Sequence, residues 1–210
     1  MTSDPQDSGS PRDEQGPDRD VIPGRIIVIS APSGAGKTSI ARLLLERYPS
    51  WRFSISATTR PRRDYEVDGV DYHFLERETF ERVVREGRMV EWEEIYGNLY
   101  GTLRSEVDRL LGDPDVDAVL FDVDVKGALS IRDAFPEETT LVFIAPPSIG
   151  VLEERLRGRN TETEETLARR IARARMELEM QGEFEIVVVN DDLVRAVDEL
   201  VTRLVPASRQ

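Results

Sequence analysis

The stretch "RIIVISAPSGAGKTSI", Arg25 to Ile40, constrains the fold more than any other part of this 210-residue chain. Arg25 to Ser30 is a short continuous apolar run of the kind that parallel sheets bury on both faces, and "KTSIARLLLERY" carries apolar residues at helical spacing. Between them lies a glycine-rich turn that nearly matches the phosphate-binding pattern G-x-x-x-x-G-K-[ST], with Ala31 in place of the first glycine. In such a loop the backbone N–H groups and the helix N-terminus cradle phosphates, the lysine neutralises charge and the hydroxyl faces Mg²⁺. Gly34, Gly36, Lys37 and Thr38 fill those positions, and Ala31 adds only one methyl. The loop Ala31, Pro32, Ser33, Gly34, Ala35, Gly36, Lys37, Thr38 therefore reads as a nucleoside triphosphate site.

The rest of the chain repeats the same rhythm. "DAVLFDVDV", "TTLVFIAPP" and "EFEIVVVNDD" read as further buried strands, with helical patterns at about 127–134, 148–157 and 163–181. Strands alternating with helices predict an α/β fold with a parallel sheet flanked by helices. The segment from Trp51 to Gly101 breaks the alternation. "WRFSISATT" reads as a half-exposed strand, with Trp51, Phe53, Ile55 and Ala57 on one side. "VDGVDYHFL" and "RMVEWEEIYGNLYGT" carry the turn residues and aromatics of a small mixed sheet. The expected organisation is an acidic, disordered tail over 1–22, a core over 23–52 and 103–204, and an insertion over 53–102.

Composition removes several classes of chemistry. The chain has no cysteine and a single histidine, His73, which excludes thiolate metal sites and leaves little room for histidine catalysis. A net charge of −13 argues against nucleic acid as a partner, whose binding is dominated by phosphate contacts. No apolar run approaches the ~20 residues of a membrane span, and no signal-type segment opens the chain, so a cytoplasmic protein without a membrane partner is expected. Lys37 and Lys126 are the only lysines among 28 basic residues. One of the two occupies the phosphate loop, where a compact ammonium serves differently from a guanidinium.

The insertion holds the second half of a site. Arg60, Arg62 and Arg63 fall within four residues, followed by Tyr72, then Glu91, Tyr100 and Thr102. Guanidinium forks and tyrosine hydroxyls suit a terminal phosphate, and a carboxylate suits guanine, whose N1–H and exocyclic amine are adjacent donors.

Together these stretches resemble the guanylate kinase family, which phosphorylates GMP with ATP in purine nucleotide metabolism. The likeness runs from about Gly24 to Leu204. "SISATTR" resembles the start of the family's GMP region, implying Ser56 at the base and Arg60 on the GMP phosphate. In "RPRRDYE" the second phosphate arginine falls on Arg63, with Arg62 in the usual proline place and Tyr65 for the usual glycine, so Arg62 stands as the alternative. Tyr72 and Tyr100 are implied as phosphate contacts, Glu91 as the guanine reader and Thr102 as a neighbour of the base. "FDVDVKGA" is similar to the family's strand-end aspartates, implying Asp124 at guanine and Asp122 near the phosphates and Mg²⁺, the metal being shared with Thr38. "RLRGRNTETEETLARRIARARMELE" resembles a helical lid, about 155–172, with Arg155, Arg159 and Arg170 facing phosphates. Asn190, in "VVVNDDL", is implied near the adenine end. The resemblance thus implies a P-loop core, an inserted mixed α+β GMP-binding region, and ATP with Mg²⁺ as phosphoryl donor. Two other readings stay open: a binding module that keeps the fold without catalysis, and a kinase for another small phosphorylated acceptor. The intact loop and lid arginines speak against the first, and Ser56, Glu91, Thr102 and Asp124 against the second.

Overall fold

The computed structural model describes residues 24–95, 97–158 and 164–205. The acidic segment 1–22 lies outside the described residues, as does Arg159. In chain order the elements are β1 (Ile26–Ser30), α1 (Lys37–Arg47), β2 (Trp51–Phe53), β3 (Ala57–Thr58), β4 (His73–Phe74), α2 (Arg77–Arg85), β5 (Met89–Ile95), β6 (Asn98–Leu103), α3 (Arg104–Gly112), β7 (Ala118–Asp122), α4 (Val125–Ala134), β8 (Thr139–Ala145), α5 (Ile149–Arg157), α6 (Glu164–Glu179), β9 (Ile186–Val189) and α7 (Leu193–Leu204), with a 3₁₀ turn at Met180–Glu183 before β9. No helix among the described residues is long and apolar enough to cross a membrane.

The main sheet is parallel throughout, in the order β2-β7-β1-β8-β9. Its centre is β1, with Ile26, Ile27, Val28 and Ile29 all at 0% exposure, because both faces of the sheet are covered. Alternate side chains go to opposite layers. Ile27 and Ile29 join Ile40 and Leu44 of α1 and Val197 and Leu200 of α7. Ile26 and Val28 join Val107 and Leu110 of α3, Ile131 of α4, and Phe121 and Phe143. The two layers fix the axis of β1, so the loop that follows it leaves the sheet at one place.

The second sheet has the order β4-β3-β6-β5, with β5 and β6 an antiparallel hairpin. It is backed by Phe80 of α2, which packs against Ala57 and Leu99. Here the structure corrects the reading of "WRFSISATT" as one strand. Trp51 stacks on Tyr48, centroids 4.4 Å apart, and pairs with Ala118 in the main sheet, whereas Ala57 pairs with Gly101 in the small one. Each apolar anchor is claimed by a different core, so the strand breaks over 54–56 and the chain passes between sheets. Helices α2, α3 and α7 come from segments for which the sequence pattern gave no helix.

Phe121→Ala, which deletes a ring 1% exposed in the α3/α4 layer, is expected to cost about 3–5 kcal/mol of stability, read as a lower urea midpoint at unchanged m-value.

Candidate active site

The residues after β1 turn sharply into α1, and Gly36 makes the turn with φ +97°. A Cβ at Gly36 would lie 2.2 Å from Asn190 Nδ2, so a side chain is barred by space as well as by backbone conformation. Asn190, buried just past β9, donates from Nδ2 to the Ala35 carbonyl at 2.7 Å. Arg155 of α5 donates in turn to the Asn190 carbonyl at 3.1 Å. These two residues, expected at the nucleotide, thus also hold the loop's backbone in place. Ala31 and Ala35 are buried in the α1/α7 layer, so the methyl of Ala31 is absorbed by the core.

Lys37 Nζ lies 2.6 Å from Asp122 Oδ1 and donates to the Val123 carbonyl at 2.9 Å, both at the end of β7. An ammonium has three donors, so one remains for a phosphate oxygen. Thr38 Oγ1 is 3.5 Å from Asp122 Oδ2. A hydroxyl beside a carboxylate is a hard-oxygen pair that fits Mg²⁺, which takes one or two protein oxygens and completes its shell with water and substrate phosphates. The loop lines a cavity of about 370 Å³, whose far wall is Asp124 together with Arg170, Arg173 and Glu177 of α6.

On the small sheet, Arg60, Tyr72 and Tyr100 converge. The Arg60 guanidinium carbon is 5.4 Å from the centroid of Tyr72, and the Tyr72 and Tyr100 rings meet edge to face at 6.2 Å. Burial raises the Tyr72 pKa and keeps its hydroxyl neutral. Glu91 on β5 accepts from Thr102 Oγ1 at 2.6 Å. Burial pushes Glu91 up to about 7, against the pull of the Thr102 hydroxyl. The first turn of α4 sits directly on it: a Cβ at Gly127 would lie 3.1 Å from Glu91 Oε2, so any larger residue would press on the carboxylate. Asp124 caps α4 by accepting from Gly127 N at 2.8 Å, so Glu91 and Asp124 are brought to one place by one tight turn. Ser56 stands at the crossing between the sheets, its carbonyl accepting from His73 N at 2.9 Å.

Two residues essential to this geometry were missed in the sequence. Glu66, 5% exposed, takes Arg60 in a two-pronged pair at 2.9 and 2.7 Å and accepts from Arg63 N at 2.8 Å. Its backbone carbonyl accepts from Arg62 at 2.6 Å. One carboxylate therefore organises the arginine loop, and the only signal was its position closing "RPRRDYE". Arg173 lies one turn beyond Arg170 on α6 and bonds Asp124, Glu93 and Glu177.

Known proteins resemble this chain over most of its length. The family model described as guanylate kinase matches residues 23–206. The guanylate kinase of Chlorobium luteolum is 50% identical over 178 residues, covering 85% of this chain and 89% of the relative. That of Rhodococcus jostii is 50% identical over 191 residues, covering 89% and 90%. The crystal structure of guanylate kinase from Anaplasma phagocytophilum superposes with a TM-score of 0.67 at 30% identity, covering 87% of this chain and 85% of that one.

The hydrogen bonds from Arg60 hold the Glu66 carboxyl at about 2, well below its ordinary 4.5. A depressed carboxylate contributes stability that is complete above pH 4.5 and lost as pH falls toward 2. The melting temperature of Glu66→Gln is accordingly expected to fall less steeply than that of the wild type over this window in calorimetric scans.

Proposed function

The chain belongs to the guanylate kinase family, and from that premise we propose how its residues share the work of transferring the γ-phosphate of ATP to GMP, giving ADP and GDP. The observation that carries the assignment is the meeting of two carboxylates, Glu91 and Asp124, at the first turn of α4, with Asp124 also lining the phosphate-loop cavity. Adjacent carboxylates match guanine's N1–H and amine, and would repel the N1 acceptor of adenine. Thr102 orients Glu91, and Ser56 completes the base site from the crossing strand.

Arg60, Tyr72 and Tyr100 take the GMP phosphate. Arg63 joins them, because its guanidinium is more than half exposed and, among the described residues, is bonded to side chains of its own loop, at Tyr65 and Glu66, whereas Arg62 is spent on the Glu66 carbonyl. The loop from Ala31 to Thr38, through its N–H groups from Ser33 onward, and Lys37 hold the β- and γ-phosphates of ATP, with Arg155 and Arg170 and, outside the described residues, Arg159. Thr38 and Asp122 would hold Mg²⁺, which when bound would supply positive charge against the phosphates. Phosphoryl transfer spreads charge over equatorial oxygens between two anions, so positioning and fixed cations supply the catalysis, and no nucleophile from the protein is required. The permanent charge of arginine suits that task, since its protonation does not depend on what binds. The lid closing over the cavity excludes the water that would hydrolyse ATP.

Release of ADP from ATP and Mg²⁺ is expected with GMP and dGMP and not with AMP, UMP or no acceptor, with Lys37→Ala reducing turnover at least about a hundredfold. Activity with every nucleotide equally, or with none, overturns the assignment.

Reading guanine's donors requires an ionised Glu91, and its pKa of about 7 makes that ionisation incomplete at neutrality. GMP affinity is therefore expected to rise from pH 6 to 8 with net release of protons on binding, measured by calorimetry in buffers of different ionisation enthalpy. Glu93 titrates in the same range, so Glu91→Gln is the deciding variant: it should weaken GMP binding and flatten this pH dependence.

A further inference from the structure

Arg173 touches neither substrate in the proposed function, yet it bonds three carboxylates between the two sites. Its Nη2 donates to Asp124 Oδ2 at 2.8 Å and to Glu93 Oε2 at 3.1 Å, and its Nε donates to Glu177 Oε1 at 2.9 Å. The three carboxylates belong to three elements: Asp124 caps α4, Glu93 is on β5 of the small sheet, and Glu177 is on α6 itself. Arg173, Asp124 and Glu177 line the phosphate-loop cavity on one side. On the other they line a second cavity of about 200 Å³ with Glu93 and Lys126. One guanidinium on α6 thus lines the space beside the phosphate loop while it is bonded to Asp124 at the head of α4 and to Glu93 on the small sheet.

The electrostatics give this arrangement a direction. Three carboxylates around one cation repel each other if the cation leaves, and burial together with a hydrogen bond shared with Asp124 already pushes Glu93 up to about 7. Arg173 sits on the same helix face as Arg170, so shifting α6 relative to the phosphate loop moves it relative to Asp124 and Glu93. Fixing Asp124 and Glu93 conversely fixes where α6 can rest. A guanine edge donating to Asp124 and Glu91 immobilises that carboxylate while leaving its outer lone pairs for the arginine.

Building on the proposed function, we propose that Arg173 is a positioning residue that couples the two substrate sites, so that GMP bound at the small sheet holds the lid helix α6 over the phosphate loop and tightens ATP binding. Because binding free energies are linked, ATP tightens GMP by the same factor.

The test uses the full chain and calorimetric titration of a non-hydrolysable ATP analogue with Mg²⁺, with and without saturating GMP, and the reverse. In the wild type each ligand is expected to tighten the other about fivefold or more. Arg173→Ala should bring that ratio to about one while still binding each ligand alone. Arg173→Lys, which keeps the charge but loses the fork, should recover part of it. Glu93→Gln, which alters only the small-sheet end, should also lower the ratio, and it serves if Arg173→Ala does not fold. A wild-type ratio of one, or an undiminished ratio in Arg173→Ala and Glu93→Gln, overturns the coupling while leaving the proposed function standing. Failure of the wild type to bind GMP at all instead removes the proposed function, and the coupling with it.

Discussion

The burial of β1 between two apolar layers is the constraint on which the rest of the structure depends. With neighbours hydrogen-bonded on both edges and side chains packed on both faces, this strand has one position, and the loop that follows it inherits that precision. The loop is then tied at its middle by Asn190, whose amide meets the Ala35 carbonyl across 155 residues of sequence. A phosphate cradle built of backbone N–H groups works only if the backbone is already in place when the ligand arrives, because ordering it on binding would consume the interaction energy.

A second theme is how few acidic residues organise many arginines. Glu66 sets the attitude of the arginine loop, and Asp124 caps a helix, lies beside Glu91 and anchors Arg173. These carboxylates are buried or half-buried, where a charge is tolerated because it is paired and hydrogen-bonded on several sides. The near-absence of lysine fits that design. A planar fork meets both oxygens of one carboxylate in parallel, as Arg60 meets Glu66, and a compact ammonium does not.

Much of the core was legible in the sequence for a simple reason. Parallel strands buried on both faces are continuous apolar runs, and β1, β7, β8 and β9 announce themselves in that way. The phosphate loop was legible because its chemistry is local: eight consecutive residues carry it. The crossing from β2 to β3 was not legible, since alternation looks the same whether Trp51 and Ala57 face one core or two. Nor was α3, whose inward residues, Val107 and Leu110, are too few to set a period against the charged background. The carboxylate hubs were hidden for a different reason. In a chain one-third charged, nothing marks Glu66 or Arg173 among their neighbours, and the bonds from Arg173 to Asp124 and Glu93 span 49 and 80 residues. The proposed base site rests on resemblance to a family, and physical spacing alone would have left Glu91 as one glutamate among many.

The pairing of β3 with β6 has a consequence for how such a protein can diversify. These strands are the entry and exit of the inserted sheet, and they are hydrogen-bonded neighbours, Ala57 beside Gly101 and Thr58 beside Tyr100. The insertion therefore enters and leaves by one doorway, yet β5 beyond it also leans on the core, where the first turn of α4 meets Glu91 and Arg173 of α6 binds Glu93. A lineage could vary the loops away from that contact freely, whereas a change on β5 would have to be matched on α4 and α6.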